Sequence, residues 1–235
     1  MGFEGLQELL LSNSITLIKT KYWEDTYENF LFKSTITAGD TPFNLTSHQQ
    51  WIYGSCWTGI SESDALWRIY SQNKCGVRIR STIGKLARCL QKQFDRSAAW
   101  IVNIGEVKYC TIQEIINYFE AFSEDDFVAE ATKLFRESMF LKRREFKHEK
   151  EIRIILKVKS KQSFYNEVIS LPIVPKDVIE EITFDPRISN ELQELFISKL
   201  KLIGYEKIAN KSNLYNHERL SIRFKYSDDM FDITK

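Results

Sequence analysis

A chain of 235 residues, 43% hydrophobic and 28% charged, is long enough to bury one sizeable core, and one domain over residues 1–235 is expected. That make-up excludes a disordered or fibrous chain, and the near balance of 33 Lys and Arg against 32 Asp and Glu excludes a global field that would hold a polyanion. No basic region precedes an apolar stretch at the N-terminus and no apolar run is long enough to cross a bilayer, so a cytoplasmic protein with no membrane partner is expected.

In chain order, Leu6, Leu9 and Leu10 recur at helical spacing, and Ile15, Leu17 and Ile18 follow the Ser12-Asn13 break as a short strand. Residues 39–47 are rich in Gly, Pro, Thr, Asn and Ser and read as a loop. An aromatic strand follows over 51–58, in which Gly54 marks a bulge or a close approach of backbone. Residues 61–72 read as a helix with Ser61 and Ser63 as candidate caps and Leu66, Ile69 and Tyr70 on one face. A turn at 74–76 leads to a strand over 77–80. Ile83, Leu86, Ala87, Leu90 and Phe94 then form one helical stripe, followed by strands over 100–104 and 107–110.

Thr111 with Glu114 forms a capping-box pattern ahead of a helix carrying Ile112, Ile115, Ile116 and Phe119. A further helix over 127–140 would bury Ala131, Leu134 and Phe135 and pair antiparallel with it. The last third reads as a strand over 152–158, a loop punctuated by Pro172 and Pro175, a strand over 182–184, a helix over 189–203 and a strand over 220–224. Helices and strands interleave without regular βαβ units, which implies an α+β fold with mixed or antiparallel sheets and flanking helices. Cys56, Cys75, Cys89 and Cys110 form no CxxC pair and read as reduced thiols; a zinc site built from them with His48, His148 or His217 has no ligand spacing behind it.

The strongest local signal is residues 142–159, KRREFKHEKEIRIILKVK. Its second half alternates with period two, so that Ile152, Ile154, Leu156 and Val158 share one strand face and Glu149, Glu151 and Arg153 the other. Two carboxylates and a guanidinium on one face invite a chemical reading; the alternative is an edge strand with a solvated face whose charges discourage pairing. Lys142, Arg143, Arg144 and Lys147 precede the strand as a cluster able to bind phosphates or to complement a helix end.

Several blocks together resemble an uncharacterised bacterial domain family met among mobile and phage-defence genes. They are Ser55-Cys56-Trp57-Thr58, Leu66-Trp67-x-x-Tyr70, Gly76-Val77-x-Ile79, Val107-x-Tyr109 and Lys147-x-Glu149-x-Glu151-Ile152-Arg153, in that order. Trp23-x-Asp25-x-x-Glu28 is similar to that family's acidic segment, and Ile182-Thr183-Phe184-Asp185-Pro186-Arg187 to the block after its acidic strand, with Asp185 where glycine is more usual.

The family's layout is similar to that of ADP-ribosyltransferases, and the resemblance implies an effector of toxin or phage-defence type that uses NAD as a substrate. Glu151 would stabilise the positive charge that develops as nicotinamide leaves, and Glu149 would orient or deprotonate the acceptor. Ser55, Trp57, Trp67, Tyr70 and Arg153 would contact NAD. Lys142, Arg143, Arg144 and Lys147 would guide a nucleic-acid acceptor, a host protein being the other acceptor class, and an antitoxin or chaperone would be a further partner. Such enzymes place an Arg, His or Tyr on a strand before the first helix. Only Met1-Gly2-Phe3-Glu4 precede it here, leaving Lys19, Tyr22 or Arg78 to replace that contact. The rival readings are a nuclease holding Mg²⁺ on Asp25, Glu28, Glu149 and Glu151, and a non-catalytic binding domain.

Overall fold

The computed structural model describes residues 1–25, 27–38, 40–94, 100–123, 133–158, 166–207, 209–216 and 221–222. Helix α1 (Phe3–Ser12) ends at Asn13, whose left-handed backbone (φ 51°) turns the chain into β1 (Ser14–Lys19). A short helix α2 (Phe30–Lys33) and the hairpin β2 (Ile36–Ala38) and β3 (Thr41–Phe43) precede β4 (Ile52–Thr58). Next come α3 (Asp64–Tyr70), β5 (Val77–Arg80), α4 (Ile83–Phe94), β6 (Trp100–Glu106), β7 (Lys108–Cys110) and α5 (Ile112–Glu120). Helix α6 (133–138), β8 (Leu141–Arg143) and a 3-10 turn (Arg144–Glu149) lead into β9 (Glu151–Val158). The chain continues through β10 (Val168–Pro172), α7 (Pro175–Val178), β11 (Glu181–Phe184), α8 (Asn190–Leu202) and β12 (Ala209–Lys211).

Five strands form one antiparallel sheet in the order β10-β1-β4-β9-β6, and β12-β11-β5 form a smaller mixed sheet. The pairs β2-β3 and β7-β8 stand apart from both. This is a single α+β domain with antiparallel and mixed sheets and flanking helices. Among the described residues no helix is long and apolar enough to cross a membrane.

The alternation read from β9 sorts its side chains as expected. Ile154, Leu156 and Val158 enter the main core with Phe3, Leu6 and Leu9 of α1, Leu86 and Leu90 of α4, Phe184 of β11 and Phe196 of α8. Ile155, from the other face, packs with Leu31, Phe32, Leu45, Ile52 and Met139. The edge-strand alternative is corrected: β9 lies between β4 and β6, its ladder satisfied on both sides, and both faces are covered.

Other expectations change for physical reasons. The stretch read as a Pro-punctuated loop holds β10, because Pro172 closes the strand and Pro175 opens α7 at a position where no amide hydrogen is needed. On α3 the buried residue is Trp67, while Ile69 and Tyr70 are exposed. Part of the loop at 39–47 pairs as β3. Residues 127–132 of the expected helix, with Ala131, lie outside the described residues, as do His217 and most of the strand expected over 220–224. The caps at Ser63 and at Thr111 with Glu114 form as read, and Ser189 caps α8 as well.

Candidate functional site

Strands β1 and β4 pair at Ile18↔Gly54 and Lys19↔Tyr53, and no further ladder pair joins the described residues of the two strands. Residues 14–16 of β1 and 55–58 of β4 instead line a cavity of about 540 Å³. On its other side β4 remains paired with β9, which places Thr58 opposite Glu151 and Cys56 opposite Arg153. The splayed strands therefore open the sheet where its charged face begins. Ser55, Trp57, Trp67, Tyr70, Glu149 and Glu151 all line this one cavity, although they come from β4, α3, the 3-10 turn and β9.

Glu149 does not stand on the strand. It ends the 3-10 turn, and Lys150 then takes a left-handed conformation (φ 43°) before β9 begins at Glu151. The two carboxylates converge nonetheless, because both bind Lys142: its Nζ lies 2.6 Å from Glu149 Oε2 and 3.1 Å from Glu151 Oε1. Glu28, from the segment before α2, approaches the same ammonium at 3.1 Å. Arg153 lies behind, donating from Nε to Glu151 Oε2 at 2.8 Å and from Nη1 to the Met139 carbonyl at 2.8 Å, with Nη2 on Glu28. Its guanidinium stacks over the Trp23 ring at 4.5 Å, and a Cβ at Gly54 would collide with that ring, which is the close approach that makes glycine necessary there.

Three carboxylates against two cations leave one negative charge unbalanced in a buried cluster. Burial by itself pulls the Lys142 ammonium down. The hydrogen bond to Glu149 and the charges of Glu28, Glu151 and Glu149 outweigh it, so its pKa lies above the ordinary lysine value and the side chain stays charged. Burial lifts the Glu28 carboxyl above the ordinary range, and the charges of Arg153 and Lys142 pull it back only in part. Tyr70 donates to Glu149 Oε1 at 3.2 Å. More than half of that side chain is exposed, but its hydroxyl tip is tucked against the carboxylate; burial of the tip and then the Glu149 charge raise its pKa, and it remains an O–H donor.

The sequence-based assignments divide accordingly. Arg153, expected to contact NAD, is fully buried and does not line the cavity, because its guanidinium is spent on Glu28, Glu151 and a backbone carbonyl. Lys142, expected to meet an acceptor, is buried on three carboxylates. Arg143 binds Asp25 at 2.8 Å and covers the Tyr27 ring. Arg144 binds Glu114 at 2.7 Å, and Lys147 is exposed. Of Lys19, Tyr22 and Arg78, Arg78 lines the cavity, donating to Glu62 at 3.3 Å and to Thr183 at 2.9 Å. Asp25 is separated from the other carboxylates by its pairing with Arg143, and the seat that a cation would take among Glu28, Glu149 and Glu151 is held by Lys142. Among the described residues no group of three or more His, Cys, Asp or Glu side chains is placed to hold a metal ion.

Two residues of the recognised blocks received no role from the sequence and have one in the structure. The Tyr109 hydroxyl accepts the Glu151 amide hydrogen at 2.8 Å, fixing the first residue of β9. Arg187 donates from Nη2 to the carbonyls of Trp67 and Ser71, each at 2.9 Å, and to Asp185 at 2.7 Å, tying β11 to the C-terminal end of α3. That tie holds the helix carrying Trp67, whose Nε1 donates to Glu62 at 2.5 Å, and Tyr70.

Residues 66–154 match a family described as "Protein of unknown function (DUF2971)". The match supports the resemblance to an uncharacterised domain family over the segment that carries Trp67, Tyr70, Tyr109, Lys142, Glu149, Glu151 and Arg153. No curated protein and no solved structure matches the chain.

Proposed function

We propose that the protein is an ADP-ribosyltransferase-like effector, of toxin or phage-defence type, which takes NAD as substrate and transfers ADP-ribose to a nucleic acid or a host protein. The observation that carries this reading is the single cavity lined by Ser55, Trp57, Trp67, Tyr70, Glu149 and Glu151. Aromatic side chains beside a carboxylate pair suit a flat, positively charged ring attached to a sugar.

The residues divide the work by their surroundings. Glu151 is held by Lys142 on one oxygen and Arg153 on the other, so its carboxylate is fixed in place between two cations. A negative charge preorganised in that way opposes positive charge developing at an anomeric carbon without reorganising during the reaction. Glu149 keeps one oxygen on the cavity side, bonded to the Tyr70 hydroxyl, and is the carboxylate available to take the acceptor's proton. NAD would supply a glycosidic bond whose leaving group departs as neutral nicotinamide, the acceptor forming the new bond to the same carbon.

Incubating the protein with labelled NAD and total cell protein, RNA and DNA tests the reading, with NAD-induced melting shifts as the binding assay. Glu151→Gln keeps the shape and removes the charge; it should fold and should transfer no label. Undiminished transfer by a folded Glu151→Gln protein, or no melting shift and no labelled fraction with the natural sequence, would overturn the proposal.

A further inference from the structure

The residue at the centre of this cluster is Lys142, to which the proposed function gives only a share in holding Glu151. It sits on β8, seven positions before Glu149 and outside the sheet that carries Glu151, yet among the described residues its ammonium is the one group that touches all three carboxylates. Its ammonium donates to Glu149 at 2.6 Å and to Glu151 at 3.1 Å, and forms an ion pair with Glu28 at 3.1 Å. The Phe146 ring closes over it at 4.5 Å. With the ammonium in place these carboxylates are not arranged to hold a metal ion; with it removed, the three would be oxygen ligands of the kind that hard divalent cations take, at roughly 2.3–2.6 Å in the case of calcium.

We infer that Lys142 is the positioning residue of the site, a tethered cation among three carboxylates, which draws Glu149 from the 3-10 turn to the side of Glu151. Its part in transfer rests on the function proposed above; its part in gathering the carboxylates does not. Glu149 reaches the cavity by no strand register of its own, since Lys150 breaks the alternation before β9 starts. Without the ammonium, three carboxylates would share Arg153 alone, and mutual repulsion would push Glu149, the one that Arg153 does not touch, outward.

The test replaces the tethered cation with a free one. Lys142→Ala should acquire saturable calcium binding that the natural protein lacks, seen by calorimetry and as a melting temperature that rises by roughly 2–4 °C or more in millimolar CaCl₂. NAD-induced stabilisation should be lost in calcium-free Lys142→Ala and should return at least in part when calcium is added. A structural lysine would give neither the new calcium site nor the rescue. Should Lys142→Ala fail to fold, Lys142→Ala with Glu28→Gln keeps two carboxylates and Arg153, and so the net charge of the cluster; it too should gain calcium binding. A folded variant with no calcium response, or with NAD stabilisation equal to that of the natural protein in the absence of calcium, overturns the inference. If the natural protein shows no response to NAD while the variants gain calcium, the proposed function fails and the role of Lys142 stands.

Discussion

The two faces of strand β9 are built from alternate residues of the same eight-residue segment, yet they are held by opposite physics. On one face Ile154, Leu156 and Val158 give up water for close packing and need no particular partner. On the other, Glu151 and Arg153 are as deeply buried, and each depends on specific partners: Lys142, Glu28, the Met139 carbonyl and the Trp23 ring. Apolar residues in place of the whole set, Glu28, Lys142, Glu149, Glu151 and Arg153 together, would serve stability as well or better, since desolvating ion pairs offsets much of their attraction. The charged face is therefore difficult to explain as a stability device, whereas a site that must hold an oriented, ionised carboxylate beside a cavity requires it.

The largest effect expected from this contrast is at Arg153. Arg153→Ala leaves Glu28 and Glu151 buried around Lys142 alone and should cost about 3–5 kcal/mol, the range for breaking a buried pair from one side. Leu156→Ala on the opposite face should cost about 2–5 kcal/mol through lost transfer energy and a cavity. The two are told apart by pH rather than by size. The Arg153→Ala loss should shrink in urea denaturation as the pH falls and the orphaned carboxylates take up protons, while the Leu156→Ala loss should stay constant. Equal pH dependence for the two variants would mean that the charges of this face are not interdependent.

How much of this was legible follows from range in sequence. The alternation of β9 and the capping residues Ser63, Thr111 and Glu114 are properties of neighbours, and the sequence displays them. The partners of Arg153 are not local: Glu28 is 125 positions away. Charges that pair across such a separation look, in the sequence, like solvated ones, so Lys142 and Arg143 were grouped with Arg144 and Lys147 as a surface cluster. The left-handed turn at Lys150 had no glycine or asparagine to announce it, and Glu149 was consequently counted onto the strand. Gly54 and the Tyr109 and Arg187 blocks did carry a signal, but the ring, amide and helix end that they meet come from elsewhere in the chain.

A smaller effect with a definite sign is expected at Glu28. Burial raises its folded pKa, with Arg153 and Lys142 only partly opposing, so the folded protein holds that proton more readily than the unfolded chain does. The stability contributed by this carboxyl is complete below the ordinary glutamate pKa and is lost as the pH rises through the folded value. Glu28→Gln removes the titration. Relative to the natural sequence, the variant should therefore become more stable as the pH climbs from about 4 to about 7, which denaturation curves at a series of pH values would read. A relative stability that falls over that window would show that ion pairing, not burial, governs Glu28.

The smallest effect concerns the surface beyond the charged face and decides which acceptor class fits. Of the four basic residues expected to guide a polyanion, Lys142 is buried on carboxylates and Arg143 is committed to Asp25, so Arg144 and Lys147 are the two that face solvent. Arg144 must also release Glu114 before it can bind a phosphate. A four-fold alanine variant would dismantle the buried cluster along with any binding patch, and its loss of affinity would be uninterpretable. The double variant Arg144→Ala with Lys147→Ala leaves that cluster untouched and should melt with the natural protein. If nucleic acid is the acceptor, the slope of log affinity against log salt should fall by at most about two units, one for each phosphate contact, rather than the four that the full cluster would imply. NAD-induced stabilisation should be unchanged, because neither residue lines the cavity. Superimposable salt dependence for the two proteins would remove these residues from the acceptor path and make a host protein the better acceptor, since no other part of the basic cluster is free to meet phosphates without first breaking an ion pair.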